Sequence, residues 1–508
     1  MRPFGLLAPA GLIAVSVLLV GPSGARADEI GPAQAQALQQ QLRDWVAGLL
    51  GPSAKLPEPP WQVSAEKDHF VIAWPIPGLT VPAGKPEVTA NARPLDGGRW
   101  SVDQLTVPAA GSFTVPMPQD EPPLSAQFGI ARQDTHGVID PSFASASKLH
   151  SELSDVSVKS EGARQKQEQR FDRYLTDISL TPAQDGRLDL AMEGTVDGWN
   201  SASQINGGKP VAVGIRTIHA VGRISGVNRD RVASLLAAAG GAMGALPPDL
   251  ANKHEKTDLP PAVRAQARLA VESLQDMLSS VRLEETLDGV QAEMAGLGSL
   301  SIKRVMMGMG GEATDGRLHA WIDLALDELA SPSLPPKVAA YLPRHVAIKP
   351  SLSGVQTADL RKLALDATEQ GASDDRFASD LAAIFSHGGI ELGLETLSFD
   401  LGGARIGGTG KITVTAPDAW HGVAHLEAIG FDDLTAQART SPELQSALPL
   451  LVMLRGLAKQ DGERLVWEVA SDGTSTTVNG LDLSKLGGGD KPKTRPPATR
   501  KPDQPSSR

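Results

Sequence analysis

Three segments of the chain carry the same succession of apolar and polar positions, an alternating strand pattern that passes into a helical one. The segments beginning at Arg223, Ser351 and His425 align without a gap. In each, a small residue (Gly226, Gly354, Ala428) precedes a branched apolar one (Val227, Val355, Ile429), and an acid (Asp230, Asp359, Asp432) stands where a helix should begin. An Asp there accepts hydrogen bonds from the free N–H groups of the first turn and suits the positive end of the helix dipole. Such repetition predicts an architecture assembled from similar supersecondary units, with Val227, Val355 and Ile429 in equivalent buried positions.

Hairpin signals stand before these segments. Asp185-Gly186 precedes Leu188, Leu190 and Met192, which alternate with Asp189 and Glu193. Asp315-Gly316 precedes Ala320, Ile322, Leu324 and Leu326, again at every second position. Alternation of this kind predicts strands with one buried face. Gly407-Gly408 is expected to be a third hairpin, leading into Ile412 and Val414, and Asp461-Gly462 a fourth, leading into Leu465, Trp467 and Val469. The glycine run from Gly308 to Gly311 also reads as a turn. From Trp61 to about Ala144, short apolar runs broken by proline predict edge-like strands, because proline cannot sit in a central strand.

Helical spacing appears elsewhere. Leu38, Leu42, Trp45, Val46 and Leu49 predict an amphipathic helix from Gly31 to Leu50, stopped by Gly51-Pro52. Leu235 to Leu246, with Gly240 and Gly244, reads as a small-residue helix packed tightly on a sheet. Val263, Ala267, Ala270, Val271, Leu274, Met277, Leu278 and Val281 form one stripe, with Arg264, Arg268, Glu272 and Asp276 opposite, which predicts one helix covering a sheet face. A last helix is expected from Ser441-Pro442-Glu443, broken or kinked by Pro449.

The predicted fold class is therefore α+β, with repeated antiparallel β-sheet units, strand-turn-helix repeats and covering amphipathic helices. The expected division is an N-terminal helix and Pro-rich linker over 28–60, a β-rich region over 61–150, a first repeat with its helical insertion over 151–296, a second over 297–388 and a third with C-terminal strands over 389–486. After Gly487-Gly488-Gly489 the tail to Arg508 is rich in Lys, Arg, Pro and Ser with almost nothing apolar, and residues 487–508 are expected to stay disordered.

Composition settles less about the fold than about the address. With 508 residues, 41% of them hydrophobic, the chain can bury real cores, and its 52 Gly and 38 Pro suit a turn-rich β fold. Residues 1–27 read as an export signal: Arg2, an apolar run from Gly5 to Val20, then Ala25-Arg26-Ala27 as a cleavage site, so that the mature chain begins at Asp28. A retained anchor is the rival reading, although the run contains Pro9 and Gly11 and falls short of the ~20 residues that span a bilayer comfortably. Cysteine is absent, which excludes disulfides, a thiol nucleophile and lipoprotein attachment. A periplasmic address follows, and after signal cleavage nothing is expected to span the membrane. The net charge of −11 argues against nucleic acid as the partner.

Catalytic chemistry finds little support in the residues. His421 and His425 have four-residue spacing, but on a strand they lie ~13 Å apart, too far to share an ion. No P-loop, nucleophile elbow or serine acyl-enzyme motif is present. No enzyme activity, catalytic residue, metal or cofactor is expected. Apolar surface is the remaining candidate: Leu274 and Met277 on the insertion stripe, Met306 beside Met307 and Met309, and Leu451 within Leu444–Leu457 are expected to line a groove between sheet and helices. Plain core packing would explain the same residues.

The exported start, the Pro-punctuated region from Trp61 to Val115, the repeated strand-turn-helix and the closing Val478-Asn479-Gly480-Leu481-Asp482-Leu483 together resemble the Gram-negative envelope family catalogued as domain of unknown function 2125. The resemblance covers most of the mature chain. More distantly the chain is similar to AsmA-like envelope proteins associated with lipid traffic. The resemblance implies a non-catalytic envelope role and supplies no site residue. Two functions are expected from it and from the apolar surface together: holding a lipid or other apolar ligand, or acting as a structural or assembly factor for another envelope protein.

Overall fold

The computed structural model describes residues 30–50, 61–96, 99–115, 122–140, 145–245, 260–296, 298–369, 379, 382–385, 389–401, 403–416, 419–440 and 445–483. The expected signal, the Pro-rich linker and the C-terminal tail lie outside them. The strands form one antiparallel sheet of 21 strands. In its N-terminal part stand β1 (Gln62–Ala65), β2 (Phe70–Pro75), β3 (Glu87–Pro94), β4 (Trp100–Thr106) and β5 (Ala110–Val115). Long strands follow: β6 (Leu124–Asp140), β7 (Ser145–Glu161), β8 (Gln165–Pro182), β9 (Leu188–Ile205), β10 (Val211–Val227), β11 (Ser280–Met294), β12 (Gly298–Thr314) and β13 (Arg317–Ala330). Then come β14 (His345–Gln356), β15 (Ile390–Leu401), β16 (Ala404–Ala416), β17 (Ala419–Ile429), β18 (Lys459–Asp461), β19 (Arg464–Ser471), β20 (Thr476–Val478) and β21 (Leu481–Asp482).

From β6 to β17 each strand pairs with the next in sequence. The short β5 and β18 lie beside β6 and β19, so that β4 pairs with β6 and β17 with β19. Among the described residues no pairing joins β1 to β21, and the sheet is an open meander. Two expected turns are corrected by it. The glycine run from Gly308 to Gly311 lies inside β12, and Gly407-Gly408 inside β16. At Gly408 the missing side chain serves a close approach, because a Cβ there would meet Leu426 Cδ2 at 2.4 Å.

Besides a single turn over Pro336–Ala339, six helices accompany the sheet among the described residues: α1 (Pro32–Leu50), α2 (Arg229–Ala245), α3 (Pro261–Ser273), α4 (Thr357–Thr368), α5 (Phe431–Thr440) and α6 (Leu448–Leu457). The apolar face of α1 carries Ala35, Leu38 and Leu42 onto Phe70, Ile72, Ala92 and Trp100, making the N-terminal core. The Gln39 side chain accepts from the Val63 N–H at 3.2 Å and fixes its height on the sheet edge. The expected insertion helix is shorter than its stripe. It ends at Ser273, Asp276 takes a left-handed conformation with φ 53°, and Val281 already belongs to β11. The helix α3 packs against α2 and α4. Gly241 permits this, since a Cβ there would meet Gln266 Cδ at 2.8 Å. The expected start at Ser441-Pro442-Glu443 lies outside the described residues; a 3-10 turn over Gln445–Ala447 precedes α6, which begins at Leu448 with Pro449 in its first turn, where no N–H partner is needed.

The first two repeats are one device used twice. Val227 faces Leu188 and Val355 faces Leu318, each beside a register shift at a left-handed glycine, Gly226 (φ 67°) and Gly354 (φ 87°). Arg187 and Arg317, each following an Asp-Gly turn, donate to the carbonyl of that glycine. The third copy keeps the strand-to-helix junction but not the surroundings. Its left-handed residue is Gly430, and Ile429 is 40% exposed whereas Val355 is 3% exposed, so the expected equivalence of burial fails. Strand counting gives the reason. In an antiparallel meander β10 and β14, four apart, run the same way, while β17, three further on, runs the other way. α5 therefore leaves the opposite end of the sheet from α2 and α4.

Candidate apolar face

Directly opposed residues of an antiparallel pair lie on the same face of the sheet, so the register builds the site row by row. Leu153, Tyr174, Val196, Ile218, Leu287, Val305, Leu326, Val346, Phe399, Ile406, Ala428 and Leu465 are opposed pair by pair from β7 to β19. Six residues along each strand, seven on the bulged β15, runs another row, Leu180, Leu190, Ile224, Val281, Gly311, Ala320, Leu352, Leu392, Ile412 and Gly422. Two rows lie between, one through Met192, Leu283, Met309 and Ile322, the other through Ala220, Met307, Leu324, Ile348 and Leu426. At ~4.8 Å per strand the first row is on the order of 50 Å long.

Simple alternation would carry this apolar surface off the face beyond the Ile218 row, because the next apolar residues come after three positions: Val156 after Leu153, Ile215 before Ile218, Val290 after Leu287, Leu329 after Leu326. A crease across the strands resolves the mismatch. Asp155 (φ 51°), Gly198 (φ 64°), Gly289 (φ 67°) and Glu328 (φ 50°) are left-handed, one on every second strand from β7 to β13. Register is the same on both sides of the crease. Two successive side chains thus turn to the opposite face, and the apolar face continues: Leu153, Val156 and Tyr174 share one core cluster. On the opposite face the crease is a ladder of polar pairs, with Arg173 bonded to Glu152 at 2.7 Å, Arg304 to Asp288 at 2.9 Å and His345 to Asp327 at 2.7 Å.

Among the described residues, helices cover the apolar face at its two extremes. α1 lies over the N-terminal core. At the other extreme Leu451, Leu454 and Leu457 of α6 pack on Ala428, Leu465 and Trp467, and Phe431 meets the Trp467 ring edge-on at 5.6 Å. Between them Met309 is 55% exposed, Ile322 48% and Leu392 46%, with Met192, Leu283, Met307, Leu324 and Ile412 also exposed. Glu285, opposed to Ala220 and Met307, stands among them, and burial raises its carboxyl above the ordinary range.

The residues expected to line a groove are not brought together. Leu274 lies 53% exposed in the turn after α3, and Met277 follows it, its carbonyl accepting the Asn228 N–H at 2.8 Å. Met306 points to the charged face, between Thr286 and Ala325, one residue out of phase with Met307. Leu451 is packed into the C-terminal core. The exposed surface instead comes from Leu283, Met309, Ile322, Leu324 and Leu392, which local pattern did not single out as a site. Of the two spaced histidines, His425 is bonded to Glu468 at 2.7 Å. Among the described residues no group of three or more His, Asp or Glu is placed to hold a metal ion, and no helix is long and apolar enough to cross a membrane.

No family model, curated protein or solved structure matches the chain.

Proposed function

We propose that this is a non-catalytic protein of the periplasm that holds the acyl chains of a lipid against the open part of its apolar sheet face. The observation carrying the proposal is the apolar surface from β9 to β16, exposed between α1 and α6. Its seven strand spacings and four rows span on the order of 700 Å² of sheet, and the exposed side chains among them form the kind of contiguous apolar patch that marks a binding surface. Acyl chains suit it because the rows offer almost no hydrogen-bonding groups and an acyl chain needs none, whereas a protein partner brings a polar rim that must be satisfied. The methionines add a surface that adapts to chains of different shape.

The export signal ending at Ala27 and the resemblance to an envelope family support the address. N-terminal sequencing of the periplasmic fraction should find Asp28, and intact Met1 in the membrane pellet would contradict it. Mass spectrometry of small molecules released from natively purified protein tests the function. A lipid at stoichiometric level is expected. A clean spectrum with a co-purifying envelope protein would replace this function by that of a structural or assembly factor.

A further inference from the structure

Glu285 is the exception on the apolar face. In the four rows that cross β9 to β17, every other position is apolar or glycine. Register sets Glu285 between Ala220 and Met307, with Leu283 and Leu287 before and after it on the same face. Its neighbour Glu284, on the opposite face, receives a hydrogen bond from Arg282 at 2.7 Å. Glu285 has no such partner: among the described residues burial is the one influence on its carboxyl. An ionised carboxylate half-removed from water and left unpaired costs free energy that nothing in the free protein offsets.

The missing counter-charge has to come from the occupant. No Lys, Arg or His stands in these rows, so an anionic head group finds no partner on the face, while a protonated amine finds one at Glu285. Resting on the acyl-holding function proposed above, we infer that Glu285 selects acyl ligands that carry a primary ammonium beside the chain. Bonding to that ammonium gives the carboxylate the counter-charge it lacks and anchors one end of a chain that the surrounding Leu, Met and Ile side chains hold without direction.

The full chain, loaded with the neutral probe diphenylhexatriene at pH 7.5, is titrated with dodecylamine, dodecanol and dodecanoate below their micelle concentrations. Dodecylamine should displace the probe at about tenfold lower concentration than dodecanol, the effect of one hydrogen-bonded charge pair, and dodecanoate should be the weakest. Glu285→Gln, nearly the same in shape, should abolish the amine preference and leave the dodecanol curve in place. Glu284→Gln removes an equal charge from the other face and should keep the preference. Equal displacement by amine and alcohol in the wild type, a preference that survives Glu285→Gln, or one lost equally in Glu284→Gln overturns the selection by Glu285 while leaving the apolar face as the chain-holding site. Failure of the wild type to take up the probe overturns the acyl-holding function itself.

Discussion

Met306 and Met309 offer a direct test of which face of the sheet works, because they lie on the same strand with opposite orientations and similar exposure, 45% and 55%. Replacing either with Asp removes a side chain that is about half buried. Full burial of a methionine contributes about 1.5–3 kcal/mol, so each change should cost only ~1 kcal/mol of stability, and both variants should fold. Binding should separate them. A carboxylate at Met309 would stand between Leu283 and Ile322, in the middle of the bare surface. If an acyl chain lifts away over about three methylenes, at ~0.8 kcal/mol each, affinity falls about 50-fold. At Met306 the same carboxylate joins the charged face, and affinity should stay within about twofold. The assay is displacement of diphenylhexatriene by dodecanol, with circular dichroism confirming the fold. Equal loss of binding in both variants, or no loss in either, would refute the assignment of the ligand to this face.

Further consequences follow from the bulges, the C-terminal core and the unpaired acid. Gly354→Ala combines φ 87° with a Cβ that would meet the Gly389 carbonyl at 2.8 Å; a loss of about 2–3 kcal/mol is expected in urea unfolding, against ~1 kcal/mol for Gly186→Ala, whose surroundings are open. Trp467→Ala removes the partner of Phe431 and the indole N–H that donates to the Leu454 carbonyl at 2.8 Å. It should cost about 3–5 kcal/mol, and hydrogen exchange should show lost protection in β17, β19 and α6 but not in β7 to β10. Because burial raises the Glu285 carboxyl, the folded state binds its proton more tightly than the unfolded chain does. Its contribution is therefore fully present at low pH and is lost as pH rises through the raised value. Glu285→Gln should match the wild type in denaturant unfolding at pH 4 and exceed it at pH 8; a gap of the same size at both values would contradict the burial of this group.

Much of the secondary structure was legible because its signals are local. Asp185-Gly186 and Asp315-Gly316 turn where type I′ chemistry predicts, and Leu38 and Leu42 do face a core. Gly407-Gly408 misled because a glycine pair marks either a turn or a close approach of chains, and only the neighbour Leu426 decides between them. The insertion stripe misled in the opposite way, since Leu274, Met277 and Leu278 keep helical spacing past Ser273, where the helix ends. The site was hidden by phase. Phe171-Asp172-Arg173-Tyr174, Val196-Asp197-Gly198-Trp199, Ile215-Arg216-Thr217-Ile218, Leu287-Asp288-Gly289-Val290 and Leu326-Asp327-Glu328-Leu329 share one apolar-polar-polar-apolar signature. It fits neither a period of 2 nor 3.6, so it reads as noise until the strands are laid side by side. Nor does any single segment reveal that β14 and β17 point opposite ways, which depends on how many strands intervene.

The crease restricts how this chain can change over evolutionary time. A single-residue insertion within one long strand would exchange its oily and its charged sides from that point onward, while its neighbours kept theirs. The left-handed residues Asp155, Gly198, Gly289 and Glu328 are a shift of that very kind, already made in concert and accommodated by every neighbour. No strand can lose its part alone. Since one left-handed residue recurs on every second strand, the smallest piece that can be duplicated or deleted without upsetting the rest is a hairpin. Relatives of this protein should accordingly differ in length by whole hairpins, while insertions of one or two residues collect in the turns.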